Sequence, residues 1–90
     1  MNEKMLLELF LHLVRLETDS KPHFVVQKCD GGHFLGLHSE EIKTYLKLSR
    51  GGVRVFKSLD AVYKVLEPLW SRHGVQPFIV WDLVEVELPE

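Results

Sequence analysis

The feature that most constrains this chain is a short Asp-Gly-Gly turn between two apolar runs. The first run covers residues 23–29 and the second covers residues 33–37. Glycine adopts positive φ without steric cost, so Asp30, Gly31 and Gly32 suit the tight turn of a β-hairpin. A phosphate-binding loop is the weaker interpretation, because the P-loop lysine and the dinucleotide-binding glycine spacing are missing. We therefore predict two antiparallel strands here.

The first helix is predicted over residues 2–17, where large apolar residues recur at spacings of three and four. Its apolar stripe is wide, because Met5, Leu7 and Leu11 lie beside it. One sheet face cannot cover so much surface, so we expect the helix to pack on its own sheet and on a second copy. The alternative is a central helix of one monomer. The predicted homodimer interface comprises Leu6, Leu9, Phe10 and Leu13.

A second helix is predicted to begin at Ser39, which is followed by two acidic residues that favour the positive end of the helix dipole. It is expected to run to about Leu48, buried through Ile42, Tyr45 and Leu46. Residues 49–52 contain two glycines, which commonly follow the carboxyl end of a helix. Residues 53–57 then alternate as in a strand.

A third helix is predicted after Ser58, which is typical of an N-cap. Pro68 should kink that helix or end it near Leu66, because proline lacks a backbone donor and clashes with the preceding turn. The last predicted element is a long strand over residues 78–88. Its first half is apolar on both faces, as in a central strand, and its second half alternates.

Together these elements predict an α+β protein built as a two-layer sandwich, in the order α-β-β-α-β-α-β. The sheet is expected to be mixed and four-stranded, with strands three and four parallel because a helix joins them. Ninety residues, 46% of them hydrophobic, fit one domain over residues 1–90.

Charge is distributed unevenly, although the formal net charge is only −2. Residues 42–59 contain no acidic residue, and residues 74–90 contain no lysine or arginine. The basic residues could simply be solvated. They could also form a corner that binds DNA phosphates or an acidic protein surface. A pI near 6.2 argues against DNA, since DNA-binding domains are usually basic. The predicted basic corner comprises Lys43, Lys47, Arg50, Arg54 and Lys57.

Catalytic chemistry has weaker support in the sequence. Cys29, His33 and His38 lie around the hairpin, but their spacing is not typical of a zinc site. Ser39 and Ser58 are already interpreted as caps, and no serine or cysteine lies in a strand-turn-helix nucleophile motif. A small enzyme or enzyme subunit with a pocket at Cys29, His33 and His38 is the alternative function. No metal and no cofactor are predicted.

The single cysteine excludes an internal disulfide and favours a reducing compartment, so we expect a cytoplasmic protein. The apolar stretch over residues 5–16 is interrupted by Glu8, His12 and Arg15, and it is shorter than the roughly 20 residues that cross a membrane. No membrane partner is expected.

Residues 54–88 carry a resemblance to a known group of proteins. The segment Arg54-Val-Phe-Lys-Ser-Leu-Asp-Ala-Val62 is followed by an apolar helix, Gly74 and a terminal strand. This pattern resembles small plasmid-encoded ParC-like accessory proteins associated with partition. The resemblance implies a bacterial mobile-element protein that serves plasmid maintenance by contacting DNA or a partition partner, and it implies no catalytic residue.

The sequence thus predicts a non-enzymatic binding module that is homodimeric through its first helix. Its basic corner is expected to contact DNA or an acidic protein.

Overall fold

The predicted hairpin is present and forms the centre of a four-stranded sheet. In the computed structural model, which describes residues 1–16 and 21–89, strands β1 (His23–Cys29) and β2 (Gly32–His38) pair antiparallel. The pairing runs from His23 opposite His38 to Cys29 opposite Gly32. Gly31 and Gly32 both have positive φ, as the turn requires. The hairpin prediction is confirmed.

Two further strands complete the sheet, one on each side of the hairpin. Strand β3 (Lys43–Tyr45) pairs antiparallel with β2, and β4 (Ile79–Asp82) pairs parallel with β1. The strand order is β3-β2-β1-β4. The α+β class and the mixed four-stranded sheet are therefore confirmed. The parallel pair, however, consists of β1 and β4, whereas the prediction paired the third and fourth strands.

Two helices supply the apolar partner of the sheet. They are α1 (Glu3–Arg15) and α2 (Leu59–Ser71). Because side chains alternate along a strand, Phe24 and Val26 of β1 share one face with Leu35 and Leu37 of β2. All four are buried in a common core with residues of both helices. Strand residues on the opposite face of the sheet do not belong to this core. Neither helix is long and apolar enough to cross a membrane.

The first helix follows its predicted position, since it starts after Asn2, whose side chain accepts a hydrogen bond from the Met5 amide. The predicted end at Glu17 lies outside the described residues. Leu6, Phe10 and Leu13 are buried in the core of the single chain, and Leu9 packs against it. These four side chains therefore have apolar partners within the monomer, whereas Met5 and Val14 of the same helix remain exposed. The homodimer itself stays a prediction.

The predicted second helix is wrong. Ser39 does accept hydrogen bonds from the amides of Glu41 and Ile42, as an N-cap would. The amide of Ser39 also donates to the Ile42 carbonyl at 2.8 Å, so the chain turns back and continues as β3. Strand pairing with β2 and burial of Leu46 override the local helix signal.

The predicted third strand over residues 53–57 is also wrong as a sheet strand. The chain after β3 folds into a small hairpin, residues 46–56, which we call the basic hairpin. Lys47 and Val53 form one isolated bridge, and Phe56 forms another with His33 of β2. Gly51 and Gly52 occupy its tip with φ values of 90° and 83°. The two glycines therefore close a β-turn here and do not end a helix.

Helix α2 begins after Ser58, whose hydroxyl accepts a hydrogen bond from the Ala61 amide, so the predicted cap is confirmed. Of the two predicted effects of Pro68, a kink or an end near Leu66, the end is wrong, because the helix continues through Pro68 to Ser71. Proline removes one backbone donor, and the carbonyl that loses its helical partner belongs to Lys64, an exposed residue.

The last strand is shorter than predicted and lies at an edge of the sheet, so the predicted long central strand is wrong. Strand β4 ends at Asp82, whose carboxylate accepts a hydrogen bond from the Val84 amide and turns the chain. The chain returns to β1 only where the Val86 amide donates to the Lys28 carbonyl at 2.9 Å. On the side away from β1, no other strand pairs with β4 among the described residues.

Candidate anion-binding surface

The basic hairpin brings together three of the five predicted basic residues. Lys47 and Arg50 are exposed, one on an arm and one at the tip, while Arg54 lies on the returning arm. Lys57 follows directly and is exposed before α2 begins. Lys43 is separated from Lys47 by four residues of extended chain, or roughly 13 Å, and belongs to β3. The predicted corner is thus a compact hairpin with Lys43 at a distance.

Arg54 has a structural role that the sequence did not reveal. Its guanidinium forms an ion pair with Glu3 of α1 and lies 4.6 Å above the ring of Phe56. The pair joins the basic hairpin to the start of the first helix. Because Glu3 neutralises it and Phe56 supports it, Arg54 positions the hairpin and adds little net charge to it.

A groove of about 420 Å³ separates the basic hairpin from the start of α1. Lys4 lies on one wall and Lys47 on the other, with Leu46, Leu48 and Ser49 along the hairpin side. The Lys47 amide donates to the Met1 carbonyl at 2.9 Å, so a backbone hydrogen bond joins the basic hairpin to the residues that precede α1. Sequence reasoning missed Lys4, because it lies 43 positions before Lys47 in the chain and only the tertiary fold makes them neighbours.

The two charge-biased segments of the chain lie on opposite sides of the sheet. The basic hairpin continues from β3 at one edge, whereas the acidic residues Asp82, Glu85 and Glu87 follow or end β4 at the other edge. Among the described residues, neither Lys47 nor Arg50 has a carboxylate within ion-pair distance. These two exposed cations have no internal partner in the described chain that competes with an external anion, although Glu3 lines the same groove.

The alternative pocket at Cys29, His33 and His38 does not form. Cys29 and His33 lie at the turn of the hairpin, while His38 lies at the far end of β2, about 17 Å along the strand from His33. Burial, followed by the charges of Asp30 and Glu85, raises the pKa of the Cys29 thiol and keeps it protonated. The described residues contain no cluster of three His, Cys, Asp or Glu side chains suited to a metal ion.

Aromatic rings cover part of the sheet face that the helices leave open. The ring centroids of His23 and His38 are 6.0 Å apart, and His38 lies 6.0 Å from Tyr45. Tyr45 also packs over Gly36, where an added Cβ would lie 3.0 Å from Nε2 of His38 and 3.2 Å from the Tyr45 ring. The Nε2 atom of His38 is buried and has no hydrogen-bond partner within the described part of the chain. Burial, then the charges of Lys43 and His23, lowers the pKa of His38.

We expect this histidine to make folding sensitive to mild acid. As pH falls below 6.5, the unfolded chain protonates at this position before the folded chain does, so the free energy of unfolding decreases until the folded pKa is passed. Above pH 6.5 this contribution is flat. Urea titrations between pH 7.5 and 5 measure the loss, whose slope for one proton is at most about 1.4 kcal/mol per pH unit.

The variant His38→Gln tests the assignment because it removes the titrating ring from the buried position. We expect its unfolding free energy to fall less steeply below pH 6.5 than that of the wild type. His73→Gln, at an exposed position after α2, serves as the control and should keep the full pH dependence. An unchanged slope in His38→Gln would assign the acid sensitivity to another group.

Comparison with known proteins adds no relative from which a site could be transferred. The surface comprises the basic hairpin, the groove beside it and the Arg54–Glu3 ion pair that joins the hairpin to α1. No protein-family model, no curated protein and no solved structure matches this chain.

Proposed function

We propose that this protein is a non-enzymatic binding module whose basic hairpin contacts the phosphate backbone of duplex DNA. The observation that carries the proposal is the placement of Lys47 and Arg50 on a hairpin that projects from the sheet edge, with Lys4 across the groove. Lysine and arginine side chains on a projecting loop can reach neighbouring phosphates, and such contacts release counterions.

The anchoring of the hairpin supports the same proposal. Arg54 joins it to Glu3, and the backbone bonds of Lys47 to Met1 and of Phe56 to His33 hold both arms. A loop fixed in this way loses little conformational entropy when it binds. Of the acidic residues, Asp82, Glu85 and Glu87 lie at the opposite edge of the sheet. Glu3 lines the groove itself, but its carboxylate is paired with Arg54.

The biological setting is a further part of the proposal. The resemblance of residues 54–88 to ParC-like partition accessory proteins suggests a role in the maintenance of a bacterial plasmid. Those residues include α2 and β4 together with Arg54 and Lys57 of the basic region. The lone buried cysteine suggests a reducing compartment, and we propose the cytoplasm.

Binding to a fluorescently labelled random 30-base-pair duplex tests the function. We expect binding at low salt that weakens as salt rises, with the slope of log affinity against log salt reporting the number of phosphate contacts. The double variant Lys47→Glu with Arg50→Glu should weaken binding at low salt at least about tenfold and reduce that slope by about 2. Both residues are exposed, so the fold should remain intact.

The matched control is Arg15→Glu with Lys21→Glu, which changes the net charge equally but away from the basic hairpin. Lys21 borders Phe78 next to β4, and Arg15 ends α1, roughly 18 Å along the helix from Glu3. This control should bind nearly as well as the wild type. Equal weakening by both double variants would show that only total charge matters, and absence of duplex binding at low salt would contradict the DNA proposal in favour of an acidic protein partner.

A further inference from the structure

The most exposed apolar surface of the described chain lies along β4 and the residues that flank it. Phe78 is 69% exposed, Trp81 46% and Val80 38%, and Leu83 and Val84 are about as exposed as Phe78. The same strand forms the outer edge of the sheet, next to β1. A long exposed apolar edge strand is a template for pairing with another strand. This combination indicates that the edge is covered in the functional protein.

The direction of the backbone groups of β4 can be derived from its pairing. The Phe24 amide donates to the Phe78 carbonyl at 2.9 Å, and Phe24 lies opposite Ile79 in the parallel ladder. Alternate residues of a strand face the same neighbour, so Phe78, Val80 and Asp82 direct their backbone groups towards β1. Ile79 and Trp81 therefore direct their amides and carbonyls away from the sheet. No backbone bond to these groups from a loop is found within the described residues.

We propose that β4 pairs antiparallel with β4 of a second copy of this chain, around a two-fold axis that passes beside Val80. In that register Ile79 of one copy lies opposite Trp81 of the other. Residues that face each other in this way exchange two hydrogen bonds, so the two pairs form four. All the outward backbone groups of both residues are then satisfied, and the two sheets become one continuous eight-stranded sheet.

Neighbouring registers are less favourable for physical reasons. A shift of the two-fold axis to Ile79 would place Trp81 opposite Pro77, which has no amide to donate. A shift of the axis to Trp81 would bring the two Asp82 carboxylates to within two residue positions along the paired strands, or roughly 7 Å. With the axis at Val80 they are four positions apart, roughly 13 Å, where repulsion is weaker.

The side chains that this pairing covers are the exposed apolar ones. The two Val80 side chains meet at the axis on the open sheet face, with Phe78 diagonally beside the partner's Val80. On the helix face, Trp81 lies next to Ile79 of the other copy. The exposed parts of Phe78, Val80 and Trp81, with those of Leu83 and Val84 just beyond the strand, amount to at most roughly 550 Å² per protomer. The total of at most about 1,100 Å² corresponds to a small interface and a reversible dimer.

This interface differs from the one predicted on the first helix. Leu6, Phe10 and Leu13 are buried within the monomer, whereas the β4 edge has both free backbone groups and exposed apolar side chains. The β4 interface is also independent of the basic hairpin, which lies beside the opposite edge of the sheet. Dimerisation and DNA binding can therefore fail separately.

Sedimentation equilibrium of the wild-type protein tests the proposal over about 1 to 500 µM, a range that covers dissociation constants from micromolar to nearly millimolar. We expect a reversible monomer–dimer equilibrium. The single variants Val80→Lys and Val80→Glu should each weaken the dimer at least about tenfold, because like charges then meet at the two-fold axis. An equimolar mixture of the two variants should form a heterodimer, since opposite charges now face each other.

The matched control is Val14→Glu, which introduces the same charge at a valine of α1 that is 42% exposed, close to the 38% of Val80. It should dimerise as the wild type does. A monomeric wild type over the whole range would overturn the proposal. Loss of the dimer in Val14→Glu with retention in both Val80 variants would overturn it in favour of the first helix.

Amide hydrogen exchange gives a readout that requires no variant. The amides of Ile79 and Trp81 should exchange quickly at low protein concentration, because they face solvent in the monomer, and more slowly as the dimer forms. The Val80 amide, which is directed towards β1, should be protected at both concentrations. Equal protection of Ile79 and Trp81 at all concentrations, in a protein that does dimerise, would place the interface elsewhere.

Discussion

Gly32→Ala is expected to destabilise this protein by about 2–5 kcal/mol, because the added methyl group has no space. A Cβ atom at this position would lie 2.0 Å from the carbonyl oxygen of Phe56, and that carbonyl accepts the hydrogen bond of the His33 amide. The clash is with backbone, so the contact between β2 and the basic hairpin must open. The φ of 152° adds conformational strain for any residue with a side chain.

The adjacent glycine provides the control for this prediction. Gly31 has a φ of 88°, so an alanine there is strained as well, but no atom lies within 4 Å of its added Cβ. Gly31→Ala should therefore cost only about 1–2 kcal/mol in urea denaturation. Equal losses for the two variants would show that backbone conformation alone matters and that the close approach of Phe56 does not.

Phe24→Ala is the second large effect, with an expected loss of about 3–5 kcal/mol. The ring is fully buried and its centroid lies 4.8 Å from that of Phe10 in α1, so it joins the sheet to the first helix. A domain of this length has roughly 5–13 kcal/mol of total stability. We expect the variant to melt far below the wild type or to be largely unfolded, as followed by circular dichroism at 222 nm.

A graded substitution keeps this prediction testable if the alanine variant does not fold. Phe24→Leu retains most of the apolar volume and should cost under about 2 kcal/mol. The order wild type, leucine, alanine is therefore expected in the free energy of unfolding. A leucine variant as unstable as the alanine variant would mean that ring shape at this site, more than buried volume, determines stability.

Some parts of the fold and the site could be predicted from sequence because they depend on neighbouring residues. The Asp30–Gly32 turn, the Ser58 cap and the first helix each rest on contacts within a few positions along the chain. The clustering of basic residues on one segment was predictable for the same reason. Ser39 shows the limit of such signals. Its hydroxyl accepts a hydrogen bond from the Ile42 amide, a pattern that occurs at the start of a helix and also in the non-helical turn found here.

The parts that sequence could not predict depend on pairing between distant segments. Residues 42–48 have apolar positions compatible with a helix, yet they form β3 and the first arm of the basic hairpin, because β2 offers a strand partner and Leu46 enters the core. Similarly, nothing local shows that Arg54 pairs with Glu3, or that Lys4 lies across a groove from Lys47.

The sequence by itself thus determined the Asp30–Gly32 turn, the Ser58 cap, two helices and the charge of each segment, because those follow from backbone conformational preferences and local periodicity. Only the tertiary structure decided that the last strand joins β1 in parallel at an edge, that Leu6, Phe10 and Leu13 of the first helix are buried within the monomer, and that the basic and acidic segments lie at opposite edges of the sheet. The physical reason is that strand partners and core contacts are chosen by burial of apolar surface between residues far apart in the chain, which periodicity within one segment does not encode.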